Sequence, residues 1–178
     1  RLASMVFEDV AGQPIEAVTS VWEAVQQAID LALVALAGEQ AGGAQRVLDF
    51  TVEYAKTRIQ FGRPLAEFQG LQWKFADMQV KIDAGRLLLY RAASNADRGL
   101  PTAQETSIAK YFCNQAGFDI CNEAMQVMGG TGYSKDSLVE YCFRKTRGWQ
   151  IAGGSSEMMR NRIAEGVFGR RFSQRPSK

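Results

Sequence analysis

An all-α, up-and-down helical bundle is the fold this sequence predicts, and three observations carry the prediction. From about Val18 onward, apolar residues recur at spacings of three and four, the period of a helix with one buried stripe. The breaks between these stretches are short and marked by glycine and proline, and short loops make consecutive helices antiparallel neighbours. Strand-like patterning is confined to the first residues.

That opening stretch, Leu2 to Val10, reads as a strand followed by the turn-formers Gly12 and Pro14. A lone strand has no sheet to join, so residues 1–15 are expected to be the end of a preceding β-domain and the chain to be part of a longer protein. The bundle is expected over 16–169, and a flexible basic tail over 170–178.

The first long helix is expected from about Val18 to about Arg58. Its middle is crowded with Ala35, Ala37, Gly38, Ala41, Gly42, Gly43 and Ala44. Each glycine costs a helix about 1 kcal/mol against alanine, so the cluster implies either tight helix packing or a ligand or second backbone passing close. The second helix starts after Pro64 and Leu65. It carries Phe68, Leu71, Phe75, Met78, Ile82, Gly85, Leu89, Ala92 and Ala96 as one core stripe, and Gly99 and Pro101 end it.

Thr102 or Thr106 can cap the third helix, which has Ile108, Phe112, Ala116, Ile120, Ala124 and Val127 on one side. It stops at Gly129-Gly130-Thr131-Gly132, which reads as a helix cap with a tight turn. A shorter helix over about Ser134 to Arg147 follows. The last helix opens at Ser155 or Ser156, with Glu157 near its positive end.

A chain of 178 residues is large enough for one domain with a real core. A net charge of +2 is too small to imply nucleic acid, and the cluster from Arg144 to Arg147 reads as a solvated helix face. The chain has no histidine, which removes the Ser-His-Asp triad and zinc sites built on His. Cys113, Cys121 and Cys142 share no metal-type spacing and read as reduced core thiols of a cytoplasmic protein. No signal peptide is recognisable, and the longest apolar run, Ile29 to Ala37, is too short to cross a bilayer, so no membrane partner is expected.

Two glycine-rich turns remain as places for chemistry. Gly129 to Gly132 leaves a helix. Gly153-Gly154-Ser155-Ser156 enters one, where amides, hydroxyls and a helix N-terminus converge and suit a phosphate or carboxylate. Neither turn is specific by itself.

Three tracts in order, Tyr54 to Leu65 with Arg58-Ile59-Gln60-Phe61-Gly62, Met125 to Tyr133 with Gln126-Val127-Met128-Gly129-Gly130, and Trp149 to Arg160, carry more. Together they make the chain, over roughly Val18 to Phe168, resemble the C-terminal helical domain of the flavin-dependent acyl-CoA dehydrogenases. The resemblance implies FAD as cofactor, an acyl-CoA as substrate, and removal of hydrogens from Cα and Cβ of the thioester. It also implies a dimer or tetramer, homomeric or heteromeric, and electron-transfer flavoprotein as a redox partner.

Carried over residue by residue, Arg58 pairs with a cofactor phosphate and Gln60 lies beside it, on an FAD held mainly by a neighbouring subunit. Phe68 and Gln69 line the same FAD. Gln126, Gly129 and Gly130 pack on its ribityl and pyrophosphate region, and the Ser155 hydroxyl contacts cofactor. Glu157 holds a position often occupied by Gln, where it either caps the helix or is repelled by a phosphate. Asp30 and Gly154 fall on the substrate side.

The chain departs from the family where its base would stand. Where the family's usual base, a Glu, stands before the Gly-Thr/Ser pair, this sequence has Gly153. A second family position for the base, two residues after an Asp, is also vacant, because Asp30 is followed by Leu31, Ala32 and Leu33. Glu39 and Glu157 are the remaining carboxylates to consider. Three readings stay open: a base-less subunit of a heteromeric acyl-CoA dehydrogenase, a flavin enzyme of the same fold with another base or monooxygenase chemistry, or a structural bundle that mediates oligomerisation without flavin. The small residues Ala32, Ala152 and Gly153 are compatible with a bulky acyl group. This stretch of chain alone is expected to hold no flavin.

Overall fold

The computed structural model describes residues 3–13, 20–95, 99 and 101–173. Leu2, the stretch 14–19, Ala96 and residues 174–178 lie outside the described residues. Six α-helices follow one another: α1 (Val21–Thr57), α2 (Gln69–Asn95), α3 (Ala103–Met128), α4 (Gly130–Tyr133), α5 (Leu138–Trp149) and α6 (Ser156–Phe168). Between α1 and α2 lie a two-stranded hairpin, β1 (Ile59–Gln60) with β2 (Arg63–Pro64), and a 3-10 turn over Leu65–Glu67. The predicted all-α bundle is the fold observed.

Helices α1 and α3 run side by side in the same direction. At one end the Thr106 hydroxyl on α3 donates to Asp30 on α1 at 3.2 Å; at the other the Tyr54 hydroxyl donates to the Met128 carbonyl at 3.4 Å. Helix α2 runs back between them, tied to α3 by Lys81–Asp119 at 3.0 Å and by Lys74–Glu123. The two ion pairs are about a third exposed at each end and contribute roughly 0–1 kcal/mol each. Burial matters more. Leu33, Met78, Ile82 and Ile120 are almost wholly removed from water, each worth about 1.5–3 kcal/mol.

Core residues come from the predicted stripes. Ala44, Val47, Met78, Ile82, Ile120, Ala124 and Val139 form one cluster, and Ala37, Ala41, Ala92, Ala109 and Cys113 a second. The buried alanines of α1 thus let α2 and α3 approach closely. Gly42 and Gly43 have nothing within 4 Å of where a Cβ would sit, so the packing explanation covers the alanines and not these two glycines.

Thr102 caps α3 through a full capping box, accepting from the Glu105 amide at 3.2 Å. The stretch after it departs from the predicted tight turn. Gly129 closes α3 with φ 60° and residues 130–133 form a single helical turn instead. This turn folds back so closely that a Cβ on Gly132 would meet the Met128 Cβ at 2.9 Å. Helix α5 begins later than expected, at Leu138, because Ser137 provides its cap by accepting from the Val139 amide at 3.2 Å.

Two further expectations are corrected. Residues 3–13 form no strand, and Met5, Val6, Phe7 and Val10 are exposed; strand-like composition needs a partner edge, and no described residue supplies one. Helix α1 keeps nearly its expected span, but it is apolar well beyond the run Ile29 to Ala37. An 18-residue stretch of it reaches a mean hydropathy of 1.2, so by length and composition alone it could cross a membrane. Only 11% of that stretch is buried, although Asp30 and Gln40 on the same helix are buried against the rest of the bundle.

Candidate functional site

Apart from Glu39, the residues singled out from the sequence separate into two groups at opposite ends of the bundle. One group surrounds the hairpin and the end of α3; the other surrounds the turn into α6. Along α3, Lys110 in the second group and Gln126 in the first are 16 residues apart, about 24 Å at the rise of an α-helix.

The hairpin group starts at Arg58, which caps α1 with its amide on the Tyr54 carbonyl at 2.8 Å. The chain then turns through Phe61 and Gly62, both with positive φ (52° and 79°), the backbone of a two-residue hairpin loop. A bulky residue there is strained, and the ring it carries is 94% exposed. Arg63 stacks over Phe68 at 4.2 Å, and Phe61 meets Phe68 edge-on at 6.4 Å. Phe61, Arg63, Phe68 and Gln69 line an open cleft of about 400 Å³.

Arg58 and Gln60 are exposed beside this cleft and do not line it; the Gln60 amide donates to the Ile59 carbonyl at 2.7 Å. Phe61 and Arg63 were legible in the tract but had no assigned role. The Tyr54–Met128 hydrogen bond brings the exposed Gln126, Gly129 and Gly130 to this same end. Two guanidinium groups beside exposed aromatic faces suit a ligand with both a phosphate and a ring. These residue types fit the FAD the family implies, which carries both kinds of group.

The second group is built on Lys110. Its side chain is 1% exposed. Its ammonium donates to the carbonyls of Trp149 (2.8 Å), Ala152 (3.2 Å) and Gly154, and the Asn114 amide donates to Trp149 as well, at 2.6 Å. These bonds clamp the end of α5 and the turn after it onto α3. Desolvation holds the Lys110 pKa below the ordinary lysine range. The turn itself needs left-handed backbone at Gly153 (φ 63°) and Gly154 (φ 86°). Ser155 then caps α6, its hydroxyl oxygen accepting from the Met158 amide at 3.4 Å.

Gly153 and Gly154 open onto a cavity of about 450 Å³ between α1 and α6. Ile29, Ala32, Leu33, Leu36, Met158 and Met159 make its apolar wall, and Gln26 and Arg162 its polar one. A Cβ on Gly153 would sit 3.1 Å from Leu36 and 3.6 Å from the Trp149 ring. Asp30 is buried beside this cavity; it pairs with Arg162 and accepts from Thr106. Its carboxylate is therefore part of a buried tie between α1, α3 and α6. The sequence signal for that tie was Asp30 alone; Arg162, Lys110 and Asn114 were missed because nothing in their local spacing marks them.

Neither remaining carboxylate takes up the vacant base position. Glu39 forms an ion pair with Lys145 in a different cleft, between α1 and α5. Glu157 is exposed at the start of α6, 3.7 Å from Arg160. A hydrogen bond from its own backbone amide, helped by Ser155 and Arg160, holds its pKa below the usual carboxylate range. A base for a weakly acidic α-proton needs the opposite shift.

Comparison with known proteins accounts for this arrangement. The family model described as acyl-CoA dehydrogenase, C-terminal domain, matches residues 22–168. A 3-sulfinopropanoyl-CoA desulfinase of Paraburkholderia xenovorans is 38% identical over 85% of this chain and 37% of its own length. A 3-(aryl)acrylate reductase of Clostridium sporogenes is 41% identical over 76% of this chain and 36% of its own. Among solved structures, butyryl-CoA dehydrogenase from Megasphaera elsdenii superposes with a TM-score of 0.80 at 32% identity, covering 83% of this chain and 39% of that one. This chain thus spans little more than a third of the length of such relatives. With the matched family model over most of its length, it belongs to the acyl-CoA dehydrogenase family and carries that family's C-terminal domain.

Proposed function

We propose that this domain supplies the subunit-interface side of an FAD site and one wall of an acyl-CoA pocket, in an oligomeric flavoprotein acting on acyl-CoA thioesters. It contributes no base from the family's usual position. The observation that carries this reading is the separation of the two residue groups. About 24 Å apart along α3, the hairpin cleft and the Gly153 cavity serve different ends of the bundle. A second copy, or a related chain, is then needed to bring a hairpin of one subunit to the flavin serving the cavity of another.

Bound FAD supplies the hydride acceptor for oxidation at Cβ. This chain's residues do the rest of the work assigned to the domain. Arg58 and Arg63 neutralise phosphate charge, Phe61 and Phe68 offer ring faces, and the bare backbone at Gly129 and Gly130 allows close approach. At the other end, Lys110 and Asn114 hold the Gly153–Gly154 turn in place, and the apolar wall excludes water from the acyl group.

Loss of the carboxylate at Gly153 leaves two versions of the chemistry. In the first, a partner chain with the base completes dehydrogenation, and electron-transfer flavoprotein takes the electrons. In the second, the enzyme runs a flavin reaction that needs no α-proton abstraction at this position; the presence of a desulfinase and a reductase among the relatives supports keeping it.

The full-length protein decides between them. It is purified alone and then co-expressed with any adjacent dehydrogenase-like chain, and bound FAD per subunit and flavin bleaching by a panel of acyl-CoAs are recorded. Bleaching confined to the mixed complex supports the first version; bleaching by the protein alone supports the second. A full-length protein that retains no FAD in either form sinks the reading and leaves a structural bundle.

A further inference from the structure

We propose that the cavity beside Gly153 takes an acyl group that itself carries a negative charge, and that Arg162 recognises that charge. The proposal rests on the acyl-CoA reading of the cavity given above.

The first ground is the balance of charge around the turn. Lys110 is buried with three carbonyls as its hydrogen-bond partners and no carboxylate among them. Arg162 is matched by one carboxylate, Asp30. The other acids of α6 are taken elsewhere, Glu157 by Arg160 and Glu165 by Arg171. The Lys110 ammonium is tied to the cavity wall through the carbonyl of Gly154, a lining residue. Around the turn, buried Lys110 and partly buried Arg162 thus stand against the single carboxylate of Asp30. An unbalanced buried cation is costly, and a bound anion relieves it.

The second ground is independent and geometric. Arg162 lines the cavity, and its side chain is 17% exposed. A guanidinium has five N–H donors in a planar fork, and among the described residues only Asp30 accepts from Arg162. Asp30 fixes the fork through Oδ1, the same oxygen that accepts from Thr106. The rest of the wall is hydrocarbon except for Gln26. An uncharged alkyl chain filling the cavity would strip water from the remaining N–H groups and give them nothing in return. A carboxylate or sulfinate on the acyl chain would accept from them with charge assistance.

Succinyl-CoA and butyryl-CoA, equal in chain length and different in charge, are the probes. Their equilibrium binding to the full-length protein is measured by calorimetry, in wild type, Arg162→Gln and Arg162→Lys. Succinyl-CoA is expected to bind at least about tenfold tighter to wild type. The preference should vanish in Arg162→Gln and partly return in Arg162→Lys, which restores charge without the fork. If Arg162→Gln unfolds because Asp30 is stranded, the double variant Asp30→Asn/Arg162→Gln replaces the ion pair by an amide pair and must show the same loss. Equal or tighter binding of butyryl-CoA by wild type overturns the proposal alone, as does a preference that survives in Arg162→Gln or in the double variant. Binding of neither ester overturns the acyl-CoA reading and the proposal together.

Discussion

The ammonium of Lys110 donates to the carbonyl of Trp149 at 2.8 Å, and the same carbonyl accepts from Asn114 at 2.6 Å. Two side chains one turn apart on α3 thereby fix the end of α5, and with it the turn that carries Gly153. The turn that carries Gly153 is set by contacts from residues 39 and 35 positions before Trp149.

Lys110→Met should remove those donors while keeping the apolar stem. The carbonyls of Trp149, Ala152 and Gly154 lose their shared partner, so a loss of about 1–3 kcal/mol is expected in urea unfolding. Amide exchange across residues 152–155 should quicken more than exchange in the middle of α3. Unchanged exchange in that turn would show that the clamp does not hold it.

Breaking the Asp30–Arg162 tie from one side should be worse than removing it. Asp30→Ala or Arg162→Met alone leaves an unpaired buried charge and should cost about 3–5 kcal/mol. Asp30→Ala/Arg162→Met together should cost clearly less than the sum. A double-mutant cycle with no coupling would place the two groups apart in solution.

Gly153→Glu should destabilise the domain by about 1–2 kcal/mol, because a residue with a Cβ is forced into left-handed backbone. The Leu36 methyl, 3.1 Å from that Cβ, adds crowding that Leu36→Ala should relieve in part, seen as a partial return of the melting temperature. In the full-length protein the new carboxylate is expected to increase flavin bleaching by acyl-CoAs. A stable but equally inert variant would argue against Gly153 marking the base position.

Phe61→Gly should act in opposite directions on stability and binding. Glycine accepts the left-handed backbone at this hairpin tip without strain, so a gain of up to about 1 kcal/mol is expected. The exposed ring is lost from the cleft, so full-length protein should retain less FAD after desalting. Retention equal to wild type would remove Phe61 from the cofactor site.

Burial pushes the Cys113 and Cys121 thiols up to about 12 from an ordinary value of 9.0. A raised thiol pKa means the folded state holds its protons longer, so this contribution to stability is present below pH 9 and is lost as the pH climbs toward 12. Native protein at pH 8 should show slow labelling of both by a disulfide reagent, with half-buried Cys142 reacting first. Rapid labelling of all three in native protein would contradict the burial.

Much of the architecture was readable locally. The stripe from Met78 through Ile82 to Ala92, the Thr102 capping box and the Ser155 cap depend on residues three or four apart, and the structure keeps each of them. What failed locally failed for stated reasons. The first residues have strand composition without a partner edge, and the Gly129 to Gly132 stretch continues as a helical turn because it packs back on Met128.

By itself the sequence determined the helical class, the order of the main helices and the family resemblance. Those properties reside in periodicity, caps and contiguous motifs, which act over a few residues. Only the tertiary structure decided that the candidate residues fall at two ends of the bundle, that Asp30 is taken by Arg162, and that Lys110 holds the turn. The Asp30–Arg162 pair spans 132 positions and the Lys110–Gly154 contact 44, and a buried charge leaves no local mark of which distant group will neutralise or solvate it.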